Sequence, residues 1–207
     1  MTRPEFEDLP FDKRPDLTPY LVHLTRNSEA EDDRSAFENL VRILKSGKIR
    51  GSTDKGFIKG PTPAACLMDV PFASLKYVFG DRNIGKNGPR YEPFGVFFSK
   101  KYGYKKGCRP VLYLSDEELE NLEIPDKEKW RVVRFEVGEE GWISWLHERE
   151  WRCPNGLKLP SSPYGVLVRR ASDARRLGRL IENSPDKFAV KPRSIIPLEV
   201  ICQGLLK

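Results

Sequence analysis

Apolar residues recur along this chain at two spacings, one typical of helices and one typical of strands. The clearest helix carries apolar side chains at the i, i+3, i+4 and i+7 positions of one face: Phe37, Leu40, Val41 and Leu44. It should end at Gly47, because glycine readily adopts the left-handed conformation of a helix terminus. Three more helices are predicted, one following Pro71, an acidic one over 115–122, and an arginine-rich one over 172–181 that begins at Ser172.

Predicted strands outnumber predicted helices. Short apolar and β-branched runs indicate strands at 20–25, 64–68, 94–99, 110–114, 129–137, 142–152, 165–168 and 194–202. The connections are too irregular for repeated βαβ units, which favours an α+β fold with antiparallel or mixed sheets and a few peripheral helices. Segments 51–63 and 80–93 read as loops. We expect an irregular N-terminal lead-in over 1–19 and a single domain over 20–207.

Composition narrows the class of protein. The 207 residues are 39% hydrophobic and 32% charged with both signs mixed, which is typical of a globular chain and argues against wholesale disorder. There is no apolar run near the roughly 20 residues of a membrane span, and the acidic N-terminal segment does not resemble a signal peptide. We therefore expect a cytoplasmic protein without a membrane partner. A net charge of +6 is compatible with nucleic acid as a partner but does not establish it.

The four cysteines do not predict a metal site. Cys66, Cys108, Cys153 and Cys202 form no C-x-x-C pair, and the chain has only two histidines to complete a ligand set. We interpret the cysteines as small buried hydrophobic residues in a reducing compartment.

The segment 142–152 is the most informative one for chemistry. It combines tryptophans with the pair Glu148 and Glu150, whose side chains would share one face if the segment were a continuous strand. Two carboxylates beside Arg149 and Arg152 form either a solvated ion-pair ladder, which is the commoner case, or a site where a carboxylate is held for chemistry.

The order of several motifs resembles a known family. The motifs are Leu21-Val22-His23-Leu24-Thr25, Asn39-Leu40 with Ile43-Leu44 and Gly47, Asp69-Val70-Pro71-Phe72, Gly95-Val96-Phe97-Phe98-Ser99, and Glu148-Arg149-Glu150. Taken together they resemble the ADP-ribosyltransferase-like fold in its DarT-like and PARP-like branches. The amino-acid sequence over residues 20 to 202 also resembles the AbiGi-type abortive phage-resistance proteins of bacteria.

The resemblance implies NAD as the substrate and assigns roles to individual residues. Glu150 would stabilise the oxocarbenium-like state formed when the nicotinamide–ribose bond breaks, Glu148 would hold ribose or orient the nucleophile, and Arg50 is the nearby candidate for the family's arginine. A second set would bind the cofactor: His23, Thr25, Asn39, Tyr102 and Tyr104. We expect His23 and Glu150 on neighbouring central strands, with their side chains opening into one cleft.

Each of these residues also has a structural interpretation. His23, on an apolar strand, could equally be a core histidine bonded to the backbone. Tyr102 and Tyr104, flanked by lysines, form either a solvated turn, a nicotinamide-stacking site, or a basic-aromatic run that lies along a nucleic acid. His147 and Glu148, as neighbours in a strand, would point to opposite faces and form no direct pair.

Three functions follow. The first is an NAD-dependent ADP-ribosyltransferase-like toxin or effector in phage defence, with a nucleic acid or a protein as acceptor. The second is a non-catalytic module of the same fold that acts as an antitoxin or regulator, with nucleic acid or a cognate toxin or antitoxin as partner. The third is an NAD glycohydrolase that transfers ADP-ribose to water. A shared fold does not decide among them.

Overall fold

The computed structural model describes residues 14–28, 34–53, 57–79, 84–85, 88–139 and 141–203. Its strands, numbered in chain order, are β1 (Tyr20–Leu24), β2 (Lys48–Ile49), β3 (Ala64–Met68), β4 (Ile84–Gly85), β5 (Gly88–Pro89), β6 (Gly95–Ser99), β7 (Arg109–Pro110), β8 (Leu112–Leu114), β9 (Val132–Arg134), β10 (Glu136–Gly138), β11 (Gly141–Ile143), β12 (Glu150–Pro154), β13 (Leu157–Lys158), β14 (Gly165–Val168) and β15 (Ile195–Pro197). The α-helices are α1 (Ala36–Ser46), α2 (Lys100–Lys105), α3 (Asp116–Asn121), α4 (Ala171–Asn183) and α5 (Leu198–Ile201). Short 3₁₀ helices span Phe72–Tyr77, Asp126–Arg131, Leu146–Glu148 and Pro185–Lys187.

A seven-stranded mixed sheet organises these elements. Its strand order is β15-β14-β6-β1-β3-β12-β7. Only the β14–β15 pair is parallel, and the other neighbours run antiparallel. Small two-stranded ribbons, among them β2 with β13, lie beside it. The α+β class, with mixed sheets and peripheral helices, is confirmed.

Two apolar clusters cover the two faces of this sheet. Leu21 and Leu67 belong to the cluster that buries α1 and α4, while Val22 and Met68 belong to the other. Val22 pairs directly with Met68, so each strand sends alternate side chains to opposite clusters.

The first helix forms as its sequence predicts. Ser35 accepts a hydrogen bond from the Glu38 backbone N–H while the Glu38 carboxylate accepts one from the Ser35 backbone N–H, which is a complete capping box. Gly47 ends the helix in the left-handed conformation with φ 66°. The apolar stripe of α1 is buried against the sheet, because its helical face matches the spacing read from the sequence.

Several of the predicted elements differ in kind or length. The strand expected over 129–137 is a 3₁₀ turn followed by β9 and β10, and the strand expected over 194–202 is β15 followed by α5. Segment 110–114 splits into the end of β7 and β8, and the loop predicted over 80–93 contains the ribbon β4–β5, with 80–83 and 86–87 outside the described residues. Such short elements carry too few residues for a periodic signal. Helix α4 begins after Arg170 instead of at Ser172.

Candidate functional site

The segment 142–152 is not a continuous strand, which changes how its two carboxylates are placed. Glu148 ends a 3₁₀ turn, Arg149 adopts the left-handed conformation with φ 44°, and Glu150 begins β12. The expectation that both glutamates project from one strand is therefore wrong. Both side chains are nevertheless buried, Glu148 with 1% and Glu150 with 6% of its surface exposed.

Glu150 is held in a closed ion pair. Arg152 Nε donates to Glu150 Oε1 at 2.8 Å, and Arg152 itself is 2% exposed. Arg152 Nη1 donates to the backbone carbonyl oxygens of Trp130 and Val132 at 2.9 and 3.1 Å. The carboxylate that the motif resemblance assigns to catalysis is thus tied to the sheet by a buried arginine.

Glu148 has a different environment, with fewer partners. The Tyr91 hydroxyl donates to Glu148 Oε2 at 3.1 Å, and Arg90 Nε lies 3.5 Å from Oε1. Within the described residues, Oε1 accepts no hydrogen bond. Burial raises the pKa of Glu148; Arg90 opposes this shift and the charge of Glu150 adds to it. Burial and the charge of Glu148 also raise the pKa of Tyr91, so its phenol remains a donor.

Arg90 links the buried carboxylate to an aromatic surface. Its guanidinium lies 4.1 Å from the ring centroid of Trp145, 5.2 Å from that of Phe57 and 5.5 Å from that of Tyr91. Such stacking holds a guanidinium in place while leaving its N–H groups free to donate. Among the described residues, Arg90 is the one cation in ion-pair contact with Glu148.

A cleft of about 740 Å³ lies beside Trp145, which is one of its lining residues. It is lined by residues from the lead-in, from the segment after β3 and from 142–149, including Val70, Pro71, Tyr77, Trp142, Trp145, His147 and Arg149. Trp142 and Tyr77 are 74% and 72% exposed. Burial and the charge of Arg90 lower the pKa of His147, which favours its neutral imidazole. Glu148 does not line this cleft, but its two sequence neighbours do.

His23 does not share a cleft with Glu150, and that expectation is wrong. Strand β3 lies between β1 and β12. Val22 pairs with Met68 and Met68 pairs with Glu150, so these three side chains share one face, and His23 projects from the other. The His23 ring contacts the carbonyl oxygen of Cys66 through Nδ1 at 2.9 Å, and burial lowers its pKa. His23 is thus bonded to the backbone, as its structural interpretation anticipated.

Thr25 and Asn39 also make backbone hydrogen bonds. The buried Thr25 hydroxyl lies 2.8 Å from the carbonyl oxygen of Ala36 and 3.1 Å from that of Phe94, and fixes the start of α1 against the sheet. Asn39 Nδ2 donates to the carbonyl oxygen of Arg26 at 2.9 Å. Both polar groups stabilise the turn that follows β1.

Tyr102 and Tyr104 lie on opposite sides of α2. Tyr102 packs on Phe98 and donates its hydroxyl to the carbonyl oxygen of Lys158 at 2.7 Å. Tyr104 is 56% exposed and carries the Arg109 guanidinium 3.8 Å from its ring centroid. Neither ring lines the cleft beside Trp145.

Arg50 lies at the end of the sheet opposite Glu150. It follows β2, and Ser52 forms a bridge with Ala64, which pairs with Pro154 at the far end of β12. Glu150 begins that strand, so four residues, or roughly 13 Å of extended chain, separate the two ends. The arginine beside the buried carboxylate is Arg90.

Sequence reasoning missed Arg90 and Tyr91. Both belong to the polar segment 80–93, which carries no periodic pattern and reads as a loop. The weak signal available was the dipeptide itself, an arginine and an aromatic residue at the end of a long loop, which is typical of a binding segment.

The described residues include no helix that is long and apolar enough to cross a membrane. The chain matches no protein-family model and no curated protein sequence. Among solved structures it is similar to Thermus sp. 2.9 DarT in complex with carba-NAD+, with 13% identity, 87% of this chain and 96% of that chain covered, and a TM-score of 0.44. A likeness this distant transfers no ligand and no residue role to this chain.

Proposed function

We propose that this chain is an NAD-consuming enzyme of the ADP-ribosyltransferase-like type, with Glu148 as its electrostatic stabiliser. The observation that carries the proposal is the state of Glu148: a buried carboxylate with one oxygen that accepts no hydrogen bond from the described residues, beside an aromatic cleft. Titratable groups with desolvated side chains and few partners concentrate at functional sites. The order of sequence motifs supplies the substrate class.

The chemistry requires a negative charge close to the ribose. When the nicotinamide–ribose bond breaks, its electron pair leaves with the nicotinamide nitrogen and positive charge develops on the ribose ring. A fixed carboxylate lowers the energy of that state without being consumed. Glu148 would supply the negative charge, and Arg90 would pair with the Glu148 carboxylate until the ligand enters. Trp142 or Tyr77 would stack on a planar ring of the ligand. The acceptor nucleophile then bonds to the ribose carbon and loses a proton.

Glu150 takes a structural part in this proposal. Its pairing with Arg152 leaves it bound to the sheet, where it contributes to the local potential felt by Glu148. The acceptor, nucleic acid or protein, and a role as toxin or effector in phage defence rest on the motif resemblance alone.

A second candidate is a non-catalytic binding module, used as antitoxin or regulator. One observation favours it: the ion pair with Arg152 makes the Glu150 carboxylate, which the motif resemblance assigns to catalysis, inaccessible to a ligand. A third candidate, the NAD glycohydrolase, differs from the first only in using water as the acceptor.

The test compares three proteins with radiolabelled NAD, alone, with nucleic acid and with cell lysate. Glu148→Gln should lower nicotinamide release by about 10²–10³-fold, as is typical for one lost electrostatic stabiliser, while the melting temperature and ligand affinity are kept. Glu150→Gln, the matched control, should lower the melting temperature more than turnover. Release without labelled acceptor would replace transfer by hydrolysis. If the wild-type protein released no nicotinamide, the non-catalytic binding module would be the remaining candidate. Full activity of Glu148→Gln would refute the catalytic role of Glu148.

A further inference from the structure

A cluster of basic side chains surrounds the small ribbon formed by β2 and β13. Lys48 and Lys158 stand directly opposite each other in this ribbon, and both are exposed. Like charges in facing positions destabilise a strand pair. The folded protein therefore retains an arrangement that costs stability and that a bound anion would relieve.

Three more cations lie around this pair. Lys106 Nζ lies 5.7 Å from the ring centroid of Tyr102, whose hydroxyl bonds to the carbonyl oxygen of Lys158. Arg50 follows β2 directly, and Lys45 lies in the last turn of α1 just before it. All of these side chains are exposed, and together with Lys48 and Lys158 they are here called the basic ribbon surface.

No described carboxylate neutralises the basic ribbon surface. Some other basic side chains do lie against carboxylates, as in Lys59 with Asp116 and Lys129 with Asp126. None of the basic ribbon surface residues forms an ion pair with any residue that the structure describes.

Charge is also segregated on a larger scale. Segments 34–50, 100–106, 157–161 and 170–193 all contribute side chains to the apolar cluster on one face of the sheet. Together they carry 17 basic and 4 acidic residues, a net charge of +13, whereas the whole chain carries +6. The remaining residues are therefore net acidic, by −7. A field of one sign on one face favours a polyanionic partner.

We propose that the basic ribbon surface binds the phosphate backbone of a nucleic acid. Several exposed cations on and around one ribbon can contact neighbouring phosphates, and the exposed ring of Tyr104, next to Lys105 and Lys106, offers a stacking surface for a base. Of the large exposed apolar side chains, Tyr104 and Leu180 belong to these basic segments, whereas Trp142, Ile143 and Leu146 gather around 142–146, so this face carries few of the apolar anchors that a membrane surface would use. The surface lies away from Glu148, and the proposal does not depend on NAD cleavage.

Fluorescence anisotropy with labelled single-stranded and duplex oligonucleotides of mixed sequence tests this proposal. The variant is Lys48→Gln with Lys106→Gln and Lys158→Gln. The control, Lys59→Gln with Lys127→Gln and Lys129→Gln, removes the same charge from another part of the surface. We expect the first variant to bind about 10- to 100-fold more weakly near 0.1 M salt and to lose about 2 from the slope of log K against log salt, because each lost phosphate contact removes roughly 0.7–0.9. Its melting temperature should not fall, since a like-charge pair is removed.

Three outcomes would overturn the proposal. One is the absence of binding by the wild-type protein at about 50 mM salt, where electrostatic contacts are strong. Another is an equal loss of binding affinity in both variants, which would mean that binding depends on the net charge of the protein and not on this surface. The last is binding to anionic lipid vesicles but to neither oligonucleotide.

Discussion

Replacing Arg152 with methionine would show whether Glu150 is a structural residue. Arg152 is 2% exposed and donates to both carboxylate oxygens of Glu150, at 2.8 and 3.3 Å. Its other donors reach the carbonyl oxygens of Trp130, Val132 and Phe57. In Arg152→Met the volume is nearly kept, but the Glu150 charge is left buried and uncompensated.

The expected loss is large compared with the stability of an ordinary domain. Removing one partner of a buried ion pair costs about 3–5 kcal/mol, out of about 5–15 kcal/mol for the whole free energy of unfolding. Glu150→Gln should cost less, about 1–3 kcal/mol, because its amide oxygen still accepts from Arg152 and the arginine keeps its backbone partners. The double variant should fall short of the sum of the single losses by about 0.5–3 kcal/mol, since the two side chains share one interaction.

Urea unfolding at equilibrium measures these losses, with an unchanged m-value as the check on two-state behaviour. Arg109 provides a matched control, because it stands opposite Arg152 on the neighbouring strand, donates to the carbonyl oxygens of Tyr104 and Cys108, and forms no ion pair with any described residue. Arg109→Met should cost about 1 kcal/mol or less. A loss below about 1 kcal/mol for Arg152→Met, or strict additivity in the double variant, would refute the structural role and return Glu150 to the list of candidate catalytic residues.

Two further predictions concern stability. Burial raises the pKa of Glu148 above its ordinary value of 4.5, so the folded state retains a proton that the unfolded state releases. The free energy of unfolding should therefore fall as pH rises from 4.5 toward the raised pKa. Urea unfolding at a series of pH values should show a flatter pH dependence for Glu148→Gln than for the wild-type protein, and identical pH profiles would contradict the shift. A Cβ at Gly95 would lie 2.4 Å from the carbonyl oxygen of His23, so Gly95→Ala should destabilise the fold by about 1–3 kcal/mol. Gly178 lies in α4 with open space around it, so Gly178→Ala should stabilise the fold by about 0.5–1 kcal/mol. Equal effects of the two variants in thermal melts would contradict the packing at Gly95.

Local sequence patterns predicted the central elements well where the periodic signal was long or strongly apolar. Strand β3 occupies the predicted 64–68 residue for residue, and α1 ends at the predicted glycine. The prediction was wrong where one segment of mixed apolar and charged residues contains two local structures. Around Trp130, the chain turns through Asp126–Arg131 before β9 begins, and period-2 reasoning cannot distinguish a buried 3₁₀ turn from a strand of the same length.

The candidate site was harder to predict because it depends on contacts across the chain. The carboxylate pair was visible in the sequence, but Arg90 and Tyr91 lie 57 or more residues before Glu148 and were read as part of a loop. His23 and Glu150 were predicted on neighbouring strands, but β3 lies between β1 and β12. Their opposite faces follow from the register of β1, β3 and β12, which no single strand specifies.

Arg149 explains why Glu148 and Glu150 differ although they are two residues apart. In a continuous strand both carboxylates would meet the same partners, but the left-handed backbone of Arg149 turns the chain between them. That conformation costs roughly 1–2 kcal/mol for a residue with a side chain. The Arg149 guanidinium donates to the carbonyl oxygen of Asp16 and lies 3.9 Å from the Asp69 carboxylate, while its own carbonyl accepts from the Asp69 backbone N–H at 3.1 Å. These contacts stabilise the turn. As a result, Glu150 lies in the sheet and pairs with Arg152, whereas Glu148 lies against Arg90, beside the cleft.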